Sequence, residues 1–342
     1  MDTQETVRLL TQASYALLAL AVALEIAALL GYANLTRYIL KVLDIRMRLI
    51  EVLSVTLSSL AVSHVLSAGG VGGWVVTYNA LRKRGVPHGL IFVAIAAQQF
   101  FNYAVLWAVF ALALAYLVIE RGQSVAAYGA ALVLIALLLW LTGYGVYLYN
   151  HRSKMRRRVG QLARLANRVM RREVVQEKHV DGWLDNLFAG MRRMTTHRGA
   201  FRTTALAACA FWAFDMLCLW ATFFAFDYRI GFSALVVGYA VAYSVGTLAP
   251  TPGGLGAVEG LLIAVYASFG VPSATAVAVV LTYRLINFWL PIPPGLVAYL
   301  VVRPGRTAIP DVEPDAGAPG PAGAQEQAPQ AGRETLDRAP RV

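Results

Sequence analysis

Charge is scarce in this chain. Only 14% of its 342 residues are Asp, Glu, Lys or Arg, against 58% hydrophobic. Several apolar runs exceed eighteen residues, which excludes an ordinary soluble core and points to an all-α polytopic membrane protein. Cysteine is nearly missing as well. Cys209 and Cys218 share one apolar segment, where small packing side chains are expected rather than a structural disulfide. HExxH, GxxxxGKS/T and GxSxG do not occur, so no metal site, nucleotide loop, triad or cofactor is expected, and enzymatic chemistry could only come from membrane-embedded carboxylates. The first apolar stretch follows Asp2, Glu5 and Arg8. Without a basic n-region it is expected to stay as a transmembrane helix rather than be cleaved.

What the chain does have is one uncommon pattern, twice. Gly69-Gly70-Val71-Gly72, Gly85-Val86-Pro87 and Asn102-Tyr103 reappear as Gly253-Gly254-Leu255-Gly256, Gly270-Val271-Pro272 and Asn287-Phe288, each asparagine fifteen residues past its proline. Glycine breaks at matching places in two apolar halves point to a binding site at the bilayer midplane. Five segments are long enough to span, about 13–33, 88–119, 125–149, 203–226 and 273–301, at roughly 20 residues each. The apolar regions 50–81 and 232–269 are interrupted by glycine and proline and read as re-entrant helix pairs. Each copy is then a span, a pair and a span (13–119 and 203–301), and the linking helix 125–149 inverts the second copy.

Basic residues support this path, since they concentrate in cytoplasmic loops. With the N-terminus outside, the inside receives Arg37, Lys41, Arg46, Arg48, Arg82, Lys83, Arg84, fourteen basic residues between 150 and 202, Arg303 and Arg306, and the outside only Arg8, Arg121 and Arg229. The chain is therefore expected in the inner, plasma membrane with its C-terminus cytoplasmic. In the 150–202 loop, Val159, Leu162, Leu165 and Val169 recur between arginines. That spacing suits an amphipathic helix on an anionic leaflet rather than a nucleic-acid site. Beyond residue 302 the Pro-, Ala-, Gly- and Gln-rich composition is expected to give a disordered cytoplasmic tail.

The stretch Pro250-Thr251-Pro252-Gly253-Gly254-Leu255-Gly256-Ala257-Val258-Glu259 carries the most specific signal. Prolines end one helix, glycines permit irregular backbone, and the next helix begins near Gly256 with amides that attract an anion such as phosphate; the alternative is a kinked hairpin packed through its glycines. Glu259, Arg284, Asp215 and Glu25 lie inside apolar segments, where a charge costs roughly 2.5–3.5 kcal/mol on insertion scales. Glu259 and Arg284 read either as a fixed ion pair or as one that opens, releasing Arg284 to a lipid phosphate and Glu259 to a proton. Asp215 and Glu25 read as weaker candidates, neutral and hydrogen-bonded between helices. Aligning the asparagines sets Gln99 opposite Arg284, so each copy has a polar residue three positions before Asn102 or Asn287, on one helix face. Interhelical hydrogen bonding alone would also account for Gln98, Gln99, Asn102 and Asn287. His64 reads as a packing residue.

Pro252-Gly253-Gly254-Leu255-Gly256 with Glu259, then Gly270-Val271-Pro272, Tyr283-Arg284 and Phe288-Trp289-Leu290-Pro291 resemble the lysylphosphatidylglycerol synthase transmembrane-region family, the flippase-like domain proteins, over roughly residues 10–302. The resemblance implies a domain that moves lipids between leaflets, in some members fused to a soluble aminoacyl-transfer domain that is not expected here, where a disordered tail is read after residue 302. The family's Arg and Glu near the first glycine break are replaced here by Ala68 and Trp74–Val76, which implies an altered anion site in the first half. The expected function is translocation of an anionic or polyprenyl-phosphate-type lipid, its head group held by Arg284, Glu259, Thr251, Gly253, Gly254, Gly256, Tyr283 and Asn287 from the second half. Gly69, Gly70, Gln99 and Asn102 would form the opposite wall, with Asp215 nearby. The alternatives are an accessory protein for a lipid-modifying or glycosyltransferase enzyme, docking through the basic loop, and aminoacyl-phosphatidylglycerol synthesis.

Overall fold

The computed structural model describes residues 12–66, 71–121, 151, 157, 177–196, 198–246, 249 and 251–302, all within the compact unit Met1–Arg303. The expectations for the linking helix 125–149, the Val159–Val169 helix, the tail, Gly69 and Gly70 fall outside these residues. The secondary structure described is helical throughout: α1 (Tyr15–Val42), α2 (Leu49–Leu66), α3 (Val71–Arg82), α4 (His88–Arg121), α5 (Glu177–Thr196), α6 (Arg198–Ala225), α7 (Phe232–Gly246), α8 (Ala257–Ser268), α9 (Ser273–Arg284) and α10 (Ile292–Val302). The protein is an all-α polytopic membrane protein. Among the described residues four helical stretches are long and apolar enough to cross a bilayer: Tyr15–Val42, His88–Ala113, Gly199–Ala225 and Ser273–Leu300. They match four of the five expected spans. The first runs on well past residue 33, because Leu35, Ile39 and Leu40 continue its buried face.

The sequence repeat is a structural repeat. Helices α1 and α6 have 28 residues each, and each is followed by an aspartate in the left-handed region, Asp44 at φ 62° and Asp227 at φ 53°. Both helices close with the same pair of backbone bonds, Asp44 N to Lys41 O and Ile45 N to Leu40 O in one, Asp227 N to Phe224 O and Tyr228 N to Phe223 O in the other. Helix-terminal carbonyls are satisfied inside the chain by this left-handed cap, where water would otherwise be needed. The two GVP motifs do the same for α3 and α8. Gly85 and Gly270 take φ 74° and 87°, and Val86 and Val271 donate back to Leu81 and Tyr266.

Each glycine break separates two short helices that pack on one another, α2 with α3 and α7 with α8. Helices α3, α7 and α8 have 12, 15 and 12 residues, below the ~20 needed for a crossing. Around them α1 lies along α6, and α10 closes against α2. The α2–α10 contact is tight because Gly295 brings the backbones together: a Cβ there would sit 2.4 Å from Leu57 O. Helix α5 packs Leu184, Leu187, Phe188 and Met194 into one buried cluster with residues of α1 and α4, while Arg193 reaches Asp44 at 2.6 Å. Those four apolar side chains of α5 are buried by the chain itself.

Between α9 and α10 the helix widens into a π-turn, Leu285–Trp289, closed by Leu290 N to Leu285 O at 2.9 Å. Pro291, Pro293 and Pro294 cannot donate backbone bonds, so the α ladder is interrupted here. π-Turns inside helices commonly mark functional sites, and this one carries Asn287 and Phe288.

Candidate functional site

Side chains from both repeats converge on one cavity of about 240 Å³. From the first repeat come Ser59, Ser63 and His64 of α2, Gly73 and Thr77 of α3, and Gln98, Gln99 and Asn102 of α4. The second supplies Trp212, Tyr243, Thr251, Gly253 and Gly254. The polar face expected on α4 therefore does line a cavity opposite the second glycine break. Its first-repeat wall is fixed by close backbone approach: Ser63 Oγ accepts from Gly73 N at 3.1 Å, and Ser59 donates to Gly73 O and meets Thr77 Oγ1 at 2.7 Å. No larger residue fits at Gly73, where a Cβ would lie 2.3 Å from Ser63 Oγ.

Arg284 and Glu259 do not line this cavity. They form an ion pair at 2.5 Å, with Arg284 only 4% exposed. Glu259 also accepts the Gly256 amide at 2.7 Å, so the α8 N-terminus that was expected to attract a phosphate already holds a carboxylate, in the place where the helix dipole favours one. Arg284 extends its other arm to Gly253 O at 3.4 Å and lies 4.5 Å above the Phe288 ring. His64 stacks on that ring at 4.2 Å. Phe288 is thus held between the first-repeat histidine and the second-repeat arginine, and the pair stands directly behind the Gly253 segment of the cavity wall. A cation over an aromatic face gains most where water is excluded.

A second polar cluster lies deeper. Asp215, which the sequence ranked as a weaker candidate, is its centre: Oδ2 accepts Tyr239 at 2.5 Å, and Oδ1 accepts Tyr283 and Asn287 Nδ2 at 2.8 Å each. The Asn287 amide also reaches Glu25 Oε1 at 3.4 Å, and its own oxygen accepts Tyr243 at 3.0 Å. Tyr243 in turn meets Tyr283 and lines the cavity. The tyrosines Tyr239 and Tyr243, absent from the expected site, connect the cavity to the carboxyl groups. In the sequence they look like ordinary apolar-face aromatics of α7, four residues apart; that spacing on one face is the single signal they give. Cys218 is buried and Cys209 exposed, both as free thiols.

An internally duplicated helical bundle with membrane-length apolar helices, whose glycine breaks flank a polar cavity, defines a polytopic all-α membrane protein. The model of the lysylphosphatidylglycerol synthase TM region matches residues 1–295, and the chain belongs to that family. It is similar to UPF0104 membrane proteins of archaea. One from Methanocaldococcus jannaschii is 22% identical over 86% of both chains, and one from Pyrococcus horikoshii is 22% identical over 84% of this chain and 88% of its own. Another, from Methanothermobacter thermautotrophicus, is 28% identical over 45% of this chain, a match that spans 47% of that protein.

Proposed function

We propose that this protein moves a phosphate-bearing lipid between leaflets, its head group passing through the cavity while its tails stay in the bilayer. The observation that carries this reading is the cavity wall itself. Hydroxyls and amides from both repeats face one another inside an otherwise apolar bundle, and polar groups are costly in hydrocarbon unless they serve a substrate or one another. Gln98, Gln99 and Asn102 offer side-chain amides to phosphate and glycerol or sugar oxygens. The Glu259–Arg284 pair is the reserve charge: a phosphate at the Gly253 segment competes with Glu259 for Arg284 and opens the pair. Alternating access by two related repeats about a central site is the matching transport cycle. The inner membrane is its place in this reading, with the basic loops on the cytoplasmic side.

The test is mass spectrometry of lipids retained after gentle purification. A phosphate-bearing lipid is expected with the native chain and is lost from Gln99→Trp, which fills the cavity from a half-buried lining position. Equal retention by the two proteins would contradict the assignment of the cavity.

A further inference from the structure

Glu25 and Asp215 lie against each other on α1 and α6, each only 1% exposed. Arg284 is in electrostatic range of Asp215 but its ion pair is with Glu259, so among the described residues neither buried carboxyl has a cation of its own. They are not equivalent. Asp215 has all its partners, three donors on two oxygens. Glu25 has one long bond from Asn287, and its Oε2 is buried with no partner at all. An acceptor-only oxygen without a donor costs its full desolvation penalty. A proton on the Glu25 carboxyl makes it a donor to the Asp215 carboxylate beside it. One proton then relieves an under-satisfied carboxylate and reduces two negative charges to one.

We propose that Glu25 and Asp215 together form a one-proton binding site that couples lipid movement to the proton gradient; the coupling rests on the translocation reading, the site does not. A hydroxyl chain serves it. Tyr243, on the cavity wall, meets Tyr283, which donates to Asp215. A proton enters when the Tyr243 hydroxyl turns from Asn287 Oδ1 to Tyr283 and passes its proton there as Tyr283 passes its own to Asp215 Oδ1; a hydronium ion in the cavity restores Tyr243 and leaves as water, and the proton is then shared between the touching Asp215 and Glu25 carboxyls. No electrons change hands. The other groups facing the pair are Cys218 of α6, Tyr239 of α7 and Asn287, and α4 brings Tyr103 into the surrounding apolar cluster. Buried ionisable groups in membrane helices are the usual material of proton relays.

Infrared spectroscopy of the full chain in lipid nanodiscs tests the site. At neutral pH the native protein is expected to show a protonated-carboxyl C=O band that disappears in Glu25→Gln and persists in Glu259→Gln. No such band, or one that survives Glu25→Gln, overturns the site; if Glu25→Gln does not fold, Glu25→Asp must displace the band. In proteoliposomes an imposed pH gradient is expected to speed lipid movement severalfold for the native chain and not for Glu25→Gln. Native movement indifferent to the gradient overturns the coupling and leaves translocation standing. No lipid movement under any gradient overturns the translocation reading and the coupling with it, and the proton site is then decided by the band.

Discussion

Asn287 donates to Asp215 Oδ1 at 2.8 Å from the π-turn while accepting Tyr243 at 3.0 Å from the cavity wall. One amide therefore ties α6, α7 and the widened end of α9 together. Asn287→Leu removes a donor from Asp215 and another from Glu25, and leaves Tyr243 without that acceptor. Each buried polar group left unpaired costs about 1–3 kcal/mol. The variant is expected to melt well below the native protein in detergent, as followed by circular dichroism, whereas Asn287→Gln is expected to recover part of the loss.

Arg284 and Glu259 behave as a buried pair, and removing one partner should cost more than removing both. Breaking such a pair costs about 3–5 kcal/mol because the remaining charge is stranded. Thermal unfolding of Glu259→Gln, Arg284→Met and the double variant closes the cycle. The double variant is expected to be no less stable than Arg284→Met alone, and additive losses would show that the two side chains act independently.

Gly253 is required on two grounds. Its φ is 57°, and a Cβ there would fall 2.2 Å from Phe288 Cε2, disturbing the ring between His64 and Arg284. Gly256 has φ 82° with nothing within 4 Å of its Cβ position, so Gly256→Ala meets backbone strain alone, about 1–3 kcal/mol. Gly253→Ala is expected to lower the melting temperature more than Gly256→Ala, and the reverse order would remove the steric argument.

At the start of α2 the side-chain hydrogen bond from Arg84, and after it the Arg48 amide, hold the Glu51 carboxyl below its ordinary value. A lowered folded value gives stability that is present above the unfolded pKa and is lost as pH falls through the folded one. The partners are 29% and 36% exposed, so the gain is within about 1 kcal/mol. Glu51→Gln is expected to shift the melt slightly at neutral pH and to flatten its dependence on acid below about pH 4. An unchanged acid profile would mean that the bridge contributes nothing.

The repeat was legible because glycine and proline declare backbone geometry directly. Gly85 and Gly270 cap equivalent helices, and the Gln99–Asn102 face does line the cavity. The Asp44 and Asp227 caps, equally part of the duplication, were not legible, because aspartate in a loop has many ordinary uses. The Glu259–Arg284 pairing was legible as two opposite charges in one repeat, but what else each charged side chain holds was not. A helix N-terminus at Gly256 promises an anion site, and the sequence does not say that Glu259, three residues on, folds back to occupy it. Glu25 and Asp215 are 190 positions apart, and only the packing of α1 along α6 brings them into contact. The π-turn follows from tertiary placement of Asn287 and Phe288 as well as from Pro291, and a proline alone would equally predict a kink.

A phosphate-bearing lipid that passes through this cavity changes leaflet at a measurable rate. Its most direct measurement is transbilayer movement of a fluorescent phosphatidylglycerol and of a polyprenyl phosphate in proteoliposomes containing the full chain, read by accessibility to an impermeant quencher. Faster movement than in protein-free vesicles is expected for at least one of these lipids, lost in Arg284→Ala under conditions where that variant remains folded. Native vesicles indistinguishable from protein-free ones for both lipids, or full activity in folded Arg284→Ala, would contradict that passage.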